Sequence, residues 1–376
     1  MNRNEKEWAA AIVEKIIAKT KITAERSKDK VPYTTKNGRF DDWTDRISWW
    51  TNGFYAGQLW QLYHACGAEQ FKTVAETIET KLDGSLMDYM GMDHDSGFKW
   101  LLTSVANYKM TGNEASKNRA LLASANLAGR FNLAGRFIRA WNEWNPGEES
   151  NAGWAIIDCM MNLPLLYWAT EQTKDPRFEQ IARAHADTAM KAFVREDGSV
   201  AHIVRFNVTT GELIDTLGGQ GMEVGSSWTR GQAWGVYGFA LSYRHTKNTA
   251  YLETAKKIGY YFANHVPENG IVPVDFCQEA SLEWEDSTAA AIAACGMLEL
   301  ENYVEGEEKE FFHNAAMKLL TTLAEQRCNW SEDTDNIIEK CSSCYHEENH
   351  NFALIYGDYY FTEAILKLAE KDVMLW

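Results

Sequence analysis

Asp286-Ser287-Thr288-Ala289-Ala290 begins a segment that is apolar almost throughout, and five other stretches of the chain begin segments of the same kind. Each has glycine, aspartate or serine at its start, beside small or aromatic residues, and a more polar helical segment follows after a short break. A helix that is apolar on all sides must be buried, and an amphipathic helix can cover it. The six pairs therefore predict an all-α fold, a closed ring of helical hairpins whose inner helices start at a common rim. The other openings are Gly53-Phe54-Tyr55-Ala56-Gly57, Ser96-Gly97-Phe98-Lys99-Trp100, Asp158-Cys159-Met160-Met161-Asn162, Arg230-Gly231-Gln232-Ala233-Trp234 and Gly357-Asp358-Tyr359-Tyr360-Phe361.

The predicted inner and outer helices alternate along the chain, and the first helix, 5–27, can pair with the last to close the ring. Residues 199–206 alternate with period two and precede a turn, which predicts a small β-hairpin on a rim loop. The loops before the inner helices are long, and long loops on one face of a scaffold usually carry function. No linker interrupts the pattern, so residues 1–376 are expected to form a single domain. The remaining predicted helices are 50–66 and 69–83, 97–111 and 114–134, 155–172 and 176–194, 229–246 and 248–266, 286–304 and 307–327, and 353–370.

Composition excludes several kinds of partner. The formal net charge of −16 argues against nucleic acid, because phosphates are bound by clustered lysine and arginine. No apolar run has the length of a membrane span, so no membrane partner is expected. The chain opens directly into a polar amphipathic helix without a secretory signal, and its seven cysteines are scattered, so a cytoplasmic location is expected. Cys341-x-x-Cys344 has no second ligand pair and HExxH is absent, so no metal or other cofactor is expected.

Two aspartates stand at the starts of neighbouring inner helices. Asp95 precedes Ser96-Gly97-Phe98, where it is either a helix N-cap or a carboxyl group in a site. Asp158 lies within a strongly apolar stretch, where loss of hydration should raise its pKa, as a general acid requires. A buried aspartate satisfied by backbone amides would have the same sequence context, so both interpretations remain open. Pro164 cannot donate an amide, and a kink or helix start is expected near Asp158.

Arg230 lies in the densest polar and aromatic cluster, Ser226 to Gly235. Its guanidinium at a helix start could hold a carboxylate of a bound molecule with two hydrogen bonds. An intraprotein salt bridge is the alternative. Gly218-Gly219-Gln220-Gly221 lacks a following lysine and hydroxyl residue, so we reject a phosphate-binding loop there.

These same segments resemble the bacterial unsaturated glucuronyl hydrolases. The similarity runs in consistent order from about residue 40 to 370. Its most specific motifs are Ile156-Ile-Asp-Cys-x-x-Asn-Leu-Pro-Leu-Leu166 and Trp228-Thr-Arg-Gly-Gln-Ala-Trp-Gly235, while His94-Asp-x-Gly-Phe98 and Gly357-Asp-Tyr-Tyr360 add to it. The resemblance implies an (α/α)6 barrel, which agrees with the hairpin pattern, in a single catalytic domain spanning 1–376.

The resemblance also implies hydration of a vinyl ether. In that family the substrate is an unsaturated uronate at the non-reducing end of a lyase-generated disaccharide or short oligosaccharide from a glycosaminoglycan. The enzyme protonates C4 of the double bond, water adds at C5, and the hemiketal collapses to release the neighbouring sugar. By similarity Asp158 is the general acid and base and Asp95 is its essential partner carboxylate.

Further residues match positions that wall the family's pocket or contact substrate. A histidine is expected beside the glutamine where this chain has Gly219, so contacts attributed to that imidazole are absent here. Where sulfate-preferring streptococcal relatives carry serine and lysine, this chain has Glu347 and Glu348, which predicts a preference for unsulfated substrates. The matching substrate-binding residues are Trp50, Phe54, Trp141, His202, Gln220, Arg230, Trp234 and Tyr345.

The sequence is also compatible with other functions. An unsaturated rhamnogalacturonyl hydrolase, acting on pectin fragments, would share the barrel and one general acid but would lack Asp95 in this context. Another enzyme with this fold could be an ordinary glycosidase with a carboxylate pair, or a sugar epimerase, which would want histidines on its inner helices. A non-catalytic helical scaffold is a different class, and the irregular hairpin spacing and unequal loops argue against it.

Overall fold

The computed structural model describes residues 3–143 and 150–376. One of the long loops that the sequence predicts before an inner helix spans residues 136–152, and part of it lies outside the described residues, as do the first two residues. Inner helices that the sequence predicts as apolar are buried along most of their length, while their partners bury one face. The helices are α1 (Arg3–Arg26), α2 (Phe54–Cys66), α3 (Glu69–Lys81), α4 (Asp83–Leu86), α5 (Ser96–Trp100), α6 (Ala106–Thr111), α7 (Glu114–Gly129), α8 (Leu163–Thr173), α9 (Arg177–Ala192), α10 (Thr229–Thr246), α11 (Thr249–His265), α12 (Ser287–Leu300), α13 (Gly306–Gln326) and α14 (Ile355–Leu368).

The helices form the predicted ring. Each inner helix packs on the outer helix that follows it in the chain, and α14 packs on α1. Neighbouring inner elements also touch in order around the ring: α2 contacts the turn Leu101–Val105 that continues α5, α5 contacts α8, and the contacts run on through α10, α12 and α14 back to α2. The all-α (α/α)6 prediction is confirmed.

Burial explains why α12 is an inner helix. Every one of its residues from Ser287 to Leu300 is buried, because small residues such as Ala289 and Ala293 let neighbouring helices approach. Its first turn is capped by the Asp286 side chain, which accepts a hydrogen bond from the Thr288 amide. The inner helices thus begin at the rim with polar groups and continue into the apolar core.

The β-structure extends beyond the predicted hairpin. Strand β6 (Ile203–Phe206) pairs with β7 (Leu213–Leu217) as predicted, and β5 (Trp154–Ile156) adds a third antiparallel strand. Pairs of two-residue strands lie on other rim loops: β1 (Thr35–Lys36) with β2 (Arg39–Phe40), and β3 (Phe131–Asn132) with β4 (Phe137–Ile138).

The predicted helices 155–172, 114–134 and 97–111 need correction. Residues 154–156 form β5, Ile157–Met161 form a 3₁₀ turn, and α8 begins only at Leu163, beside Pro164. Tryptophan and β-branched residues favour a strand when a partner is available, and β6 is that partner. Helix α7 ends at Gly129, and a π-helical turn over Leu101–Val105 separates α5 from α6. No helix in the described part of the chain combines the length and apolar character that crossing a membrane requires.

Candidate active site

A cavity of about 960 Å³ opens at the rim of the ring. It is formed by the loops that precede the inner helices, together with the end of strand β5. A cavity of this size holds a small-molecule ligand. Both candidate carboxyl groups line it, as do the candidate contact residues Trp50, Trp141, His202, Gln220 and Arg230.

Asn162 brings the two aspartates together. Its Nδ2 donates to Asp95 Oδ1 (3.3 Å) and to the Asp158 carbonyl oxygen (3.2 Å). Its Oδ1 accepts from the Phe98 amide (2.8 Å), so one side chain joins the start of α5 to the turn before α8. Gly97 permits this approach, because a Cβ there would lie 2.5 Å from Asn162 Cα. Asp95 occupies the N-cap position of α5, but its side chain makes no capping hydrogen bond.

Both carboxyl groups are poised to hold a proton. Burial raises the pKa of Asp158 to about 7, although the charge of Arg230 opposes the rise. Burial, and next the negative charges of Asp93 and Asp158, raise the pKa of Asp95 well above its usual range. Two interacting carboxyl groups titrate as a pair, and raised pKa values in both groups favour a proton on the pair toward neutral pH. That is the state a general acid needs.

The sheet places His202 beside Asp158. Ile156 pairs with Ile203, and the Ile157 amide donates to the His202 carbonyl oxygen (3.1 Å). This pairing sets the side chains of Asp158 and His202 next to each other. The imidazole Nε2 lies 3.9 Å from Asp158 Oδ1. Burial lowers the pKa of His202 to about 3, with Arg230 acting in the same direction, so the ring is neutral at physiological pH.

Arg230 makes the intraprotein ion pair that the sequence left open. Its Nη1 donates to Asp286 Oδ2 (2.7 Å) and to the Ser342 carbonyl oxygen, and its Nη2 donates to the Ser343 carbonyl oxygen. The guanidinium still lines the cavity, so its positive charge acts on the aspartates while its hydrogen bonds fix the loop at 342–343.

Phe54, Trp234 and Tyr345 do not line the cavity. Phe54 and Trp234 are fully buried, since their rings, at the start of α2 and in the second turn of α10, point into the barrel core. Tyr345 is half-buried beside the cavity, and its backbone amide donates to the Gln220 carbonyl oxygen (2.9 Å). The structure therefore places these three side chains behind or beside the cavity wall rather than in it.

Substitutions at Trp234 should therefore affect stability rather than substrate binding. The ring packs against Phe98 (5.2 Å between centroids) and Tyr360 (5.5 Å) in the core. We expect Trp234→Ala to lower the free energy of unfolding by about 3–5 kcal/mol, as for other buried tryptophans, in urea denaturation. Trp234→Phe should leave KM for the substrate unchanged. A tenfold rise in KM in the phenylalanine variant would show that Trp234 contacts substrate after all.

Three further aromatic residues line the cavity and were not predicted from the sequence: Tyr33, Trp43 and Trp49, which we call the aromatic mouth. Trp43 packs against Tyr33 (4.7 Å between centroids) and Trp49 (5.1 Å), and the Arg46 guanidinium lies over the Trp43 ring. These residues fall within the polar, irregular stretch 28–48 or directly after it, where only the tryptophans themselves give a signal.

The described residues contain no group of three or more histidine, cysteine, aspartate or glutamate side chains arranged to hold a metal ion. All seven cysteines are free thiols. Burial raises the pKa of both Cys341 and Cys344, which keeps these thiols protonated and disfavours a redox role for the Cys-x-x-Cys pair.

A ring of helical hairpins around a cavity with paired carboxyl groups and aromatic walls defines a carbohydrate-active hydrolase. No family model matches the chain. An unsaturated glucuronyl hydrolase from Bacillus sp. (strain GL1) is 36% identical over 370 residues, covering 94% of this chain and 96% of the relative. An unsaturated glucuronyl hydrolase structure from Streptococcus agalactiae has a TM-score of 0.91 at 30% identity, covering 100% of this chain and 94% of that one. A variant of that enzyme complexed with dGlcA-GalNAc6S has a TM-score of 0.84 at 28% identity, covering 99% and 94%. The chain belongs to the unsaturated glucuronyl hydrolase family.

Proposed function

We propose that this enzyme hydrates the C4–C5 double bond of a 4,5-unsaturated uronate at the non-reducing end of a glycosaminoglycan disaccharide or short oligosaccharide. The observation that carries the proposal is the pair formed by Asp95 and Asp158, joined through Asn162 in one cavity, with both pKa values raised. Protonating a carbon atom requires an acid that keeps its proton near neutral pH, and this pair is such an acid.

Asp158 is the proton donor in this proposal. Its Oδ1 is buried and has no hydrogen-bond partner among the described residues, yet its side chain keeps 17% exposure toward the cavity. The carboxylic acid gives its proton to C4, and the π electron pair of the double bond forms the new C4–H bond. Positive charge then develops at C5 and is shared with the ring oxygen.

Water completes the reaction. Its oxygen bonds to C5, and its proton passes to the Asp158 carboxylate, which returns to the acid form. The C5 hemiketal opens as the bond from C5 to the ring oxygen breaks, leaving a ketone at C5 and a hemiacetal at C1. Collapse of that hemiacetal gives an aldehyde and releases the neighbouring sugar as an alcohol. Asp95 holds the partner carboxyl group that keeps the pair protonated.

The neighbouring sugar faces the outer part of the cavity. Trp50 and Trp141 line the cavity together with the aromatic mouth, and aromatic faces suit the apolar faces of sugar rings. We further propose that Gln220 binds the substrate, because it lines the cavity while its Nε2 is held by the Ser343 carbonyl oxygen (2.8 Å). His202 also faces the reacting uronate.

Unsulfated substrates should be preferred, because the cavity wall is acidic. Five carboxylates line it in addition to the reacting pair, against the two arginines Arg46 and Arg230, and an added sulfate would meet like charge. We expect kcat/KM at least ~10-fold higher for the unsulfated unsaturated chondroitin disaccharide than for its 6-sulfated form, a difference of ~1.4 kcal/mol. The five are Asp45, Asp88, Asp93, Glu143 and Glu347.

Glu347→Gln provides the matching variant for this prediction. Removing one negative charge from the wall should narrow the gap between the two disaccharides, measured side by side at constant ionic strength. Equal turnover of both disaccharides by wild type would defeat the prediction.

We also propose that residues 1–376 act as a single catalytic domain, because one hydrophobic core extends from α1 to α14. The cytoplasmic location stays a prediction, and the free thiols support it.

Ultraviolet absorbance tests the proposed function. Purified enzyme should bleach the absorbance band of lyase-generated disaccharides from chondroitin, hyaluronan and heparin while releasing the second sugar. A pectin-derived unsaturated disaccharide in the same panel tests the rhamnogalacturonyl alternative, which would make it the best substrate. Sugar release without bleaching would indicate an ordinary glycosidase, and no change at all would favour a scaffold.

A further inference from the structure

Gly219 and the neighbouring Gln220 amide surround one ring nitrogen of His202. Gly219 has φ +59°, and a Cβ there would lie 2.0 Å from His202 Nδ1 and 2.7 Å from Cε1. The Gln220 backbone amide donates to the same Nδ1 (2.9 Å).

The Gln220 contact favours one tautomer of the ring, in competition with the Gly218 carbonyl oxygen, which also interacts with the imidazole. A backbone N–H can only donate, so Nδ1 must accept, and the neutral ring keeps its proton on Nε2. Trp228 packs against the ring (4.4 Å between centroids) and limits its rotation. The Nε2–H therefore stays on the side of Asp158 Oδ1, 3.9 Å away.

Asp158 Oδ1 is the oxygen that lacks a hydrogen-bond partner in the described residues. Once Asp158 has given up its proton, this oxygen carries buried negative charge, which is costly without a donor. The charged and titratable groups that face the carboxyl are Asp95 from the start of α5, Arg230 from α10, Tyr360 from α14, Cys159 from its own turn, and His202. The Arg230 guanidinium already donates its hydrogen bonds to Asp286, Ser342 and Ser343 rather than to Asp158.

We propose that Gly219 is a positioning residue, which holds His202 as a neutral Nε2–H donor for the Asp158 carboxylate formed during proton transfer. The inference rests on the proposed function and deepens it. It gives His202 a role in stabilising the conjugate base of the acid, so that the ring is not itself a base. A side chain at 219 would displace the imidazole and remove that donor.

Gly219→Ala tests the inference, and Gly225→Ala is its matched control. Gly225 lies on the same loop with φ +89°, and a Cβ there would meet nothing within 4 Å. Both substitutions place a side chain at a positive φ, but only the Cβ at position 219 would collide with His202. We expect Gly219→Ala to lower kcat by about 10²-fold, the low end for removing a donor from a developing anion, with little change in KM. Because a lost donor destabilises the carboxylate, the alkaline limb of kcat should move to higher pH. Gly225→Ala should leave both unchanged.

A spectroscopic measurement makes the test independent of turnover. In ¹⁵N NMR spectra of histidine-labelled protein, the signal absent from His202→Gln should show an acceptor Nδ1 and a protonated Nε2, and should not titrate down to about pH 4. Gly219→Ala should change this signature and Gly225→Ala should preserve it. A proton on Nδ1 in wild type, or Gly219→Ala kinetics equal to those of Gly225→Ala, would overturn the inference. Absence of bleaching by wild type would instead overturn the proposed function.

Discussion

Asp158→Asn should lower kcat on unsaturated disaccharides by about 10⁴-fold, the upper end of what general acid–base catalysis supplies. Asparagine keeps the shape of aspartate but has no proton to give to C4 and cannot take one from water. In the proposed mechanism Asp158 serves both steps, so its loss should remove both. KM should change little, since the amide fills the same space. Rates should be followed by the fading ultraviolet absorbance of the substrate.

The variant should remain folded, which separates this loss from misfolding. Burial raises the pKa of Asp158 in the folded state to about 7, above its ordinary value of 3.8. At Asp158 the folded state therefore binds more protons than the unfolded state between those pH values, and the contribution of this group to the stability of wild type falls as pH rises from ~4 to ~7. Asp158→Asn lacks this penalty, so its thermal midpoint at pH 7.5 should equal or exceed that of wild type. Near-normal turnover by this variant would exclude Asp158 as the proton donor.

Asp95→Asn should lower kcat by about 10²–10³-fold, within the range for general acid–base partners. The substitution leaves the Asn162 contact partly intact but removes the carboxyl group whose charge is coupled to that of Asp158. Residues that act as a unit have effects that do not add. The double variant Asp95→Asn/Asp158→Asn should therefore be no slower than Asp158→Asn alone, in single-turnover assays.

Asp88→Asn is the control for Asp95. Asp88 lines the same cavity, but it lies exposed at the edge and its Oδ2 accepts from Ser48 Oγ (3.2 Å). Its neutralisation should change kcat less than about threefold, because exposed charges interact weakly in water. Equal losses from Asp88→Asn and Asp95→Asn would mean that general acidity of the cavity, rather than the pair, supports the reaction.

The ring of hairpins could be predicted from the sequence because each inner helix shows its burial directly, as the small apolar residues of α12 do. Strand β5 could not be predicted from the sequence, because Ile156 and Ile157 fit either a buried helix or a strand. Only the partner strand β6 decides between the two. The choice between an N-cap and a site carboxyl for Asp95 likewise depended on Asn162, which is distant in sequence and adjacent only in the fold.

The direction of individual side chains was the main feature of the site that the sequence could not predict. Phe54 and Trp234 stand at the rim in sequence but turn into the core, while Trp43 and Trp49 come from a segment without periodicity and face the cavity. Neither outcome follows from spacing, because the start of a helix places residues on every side within one turn. The direction of the Arg230 side chain toward Asp286 could not be predicted for the same reason, because Arg230 also lies at the start of a helix.

The most direct measurement is the position of solvent deuterium in the product. When the reaction runs in D₂O and is quenched early, the released keto-uronate should carry one deuterium at C4, added at the rate at which the absorbance fades. That label records protonation of C4, the step that the proposed mechanism assigns to Asp158. Release of the neighbouring sugar while the double bond survives, with no deuterium at C4, would contradict the account.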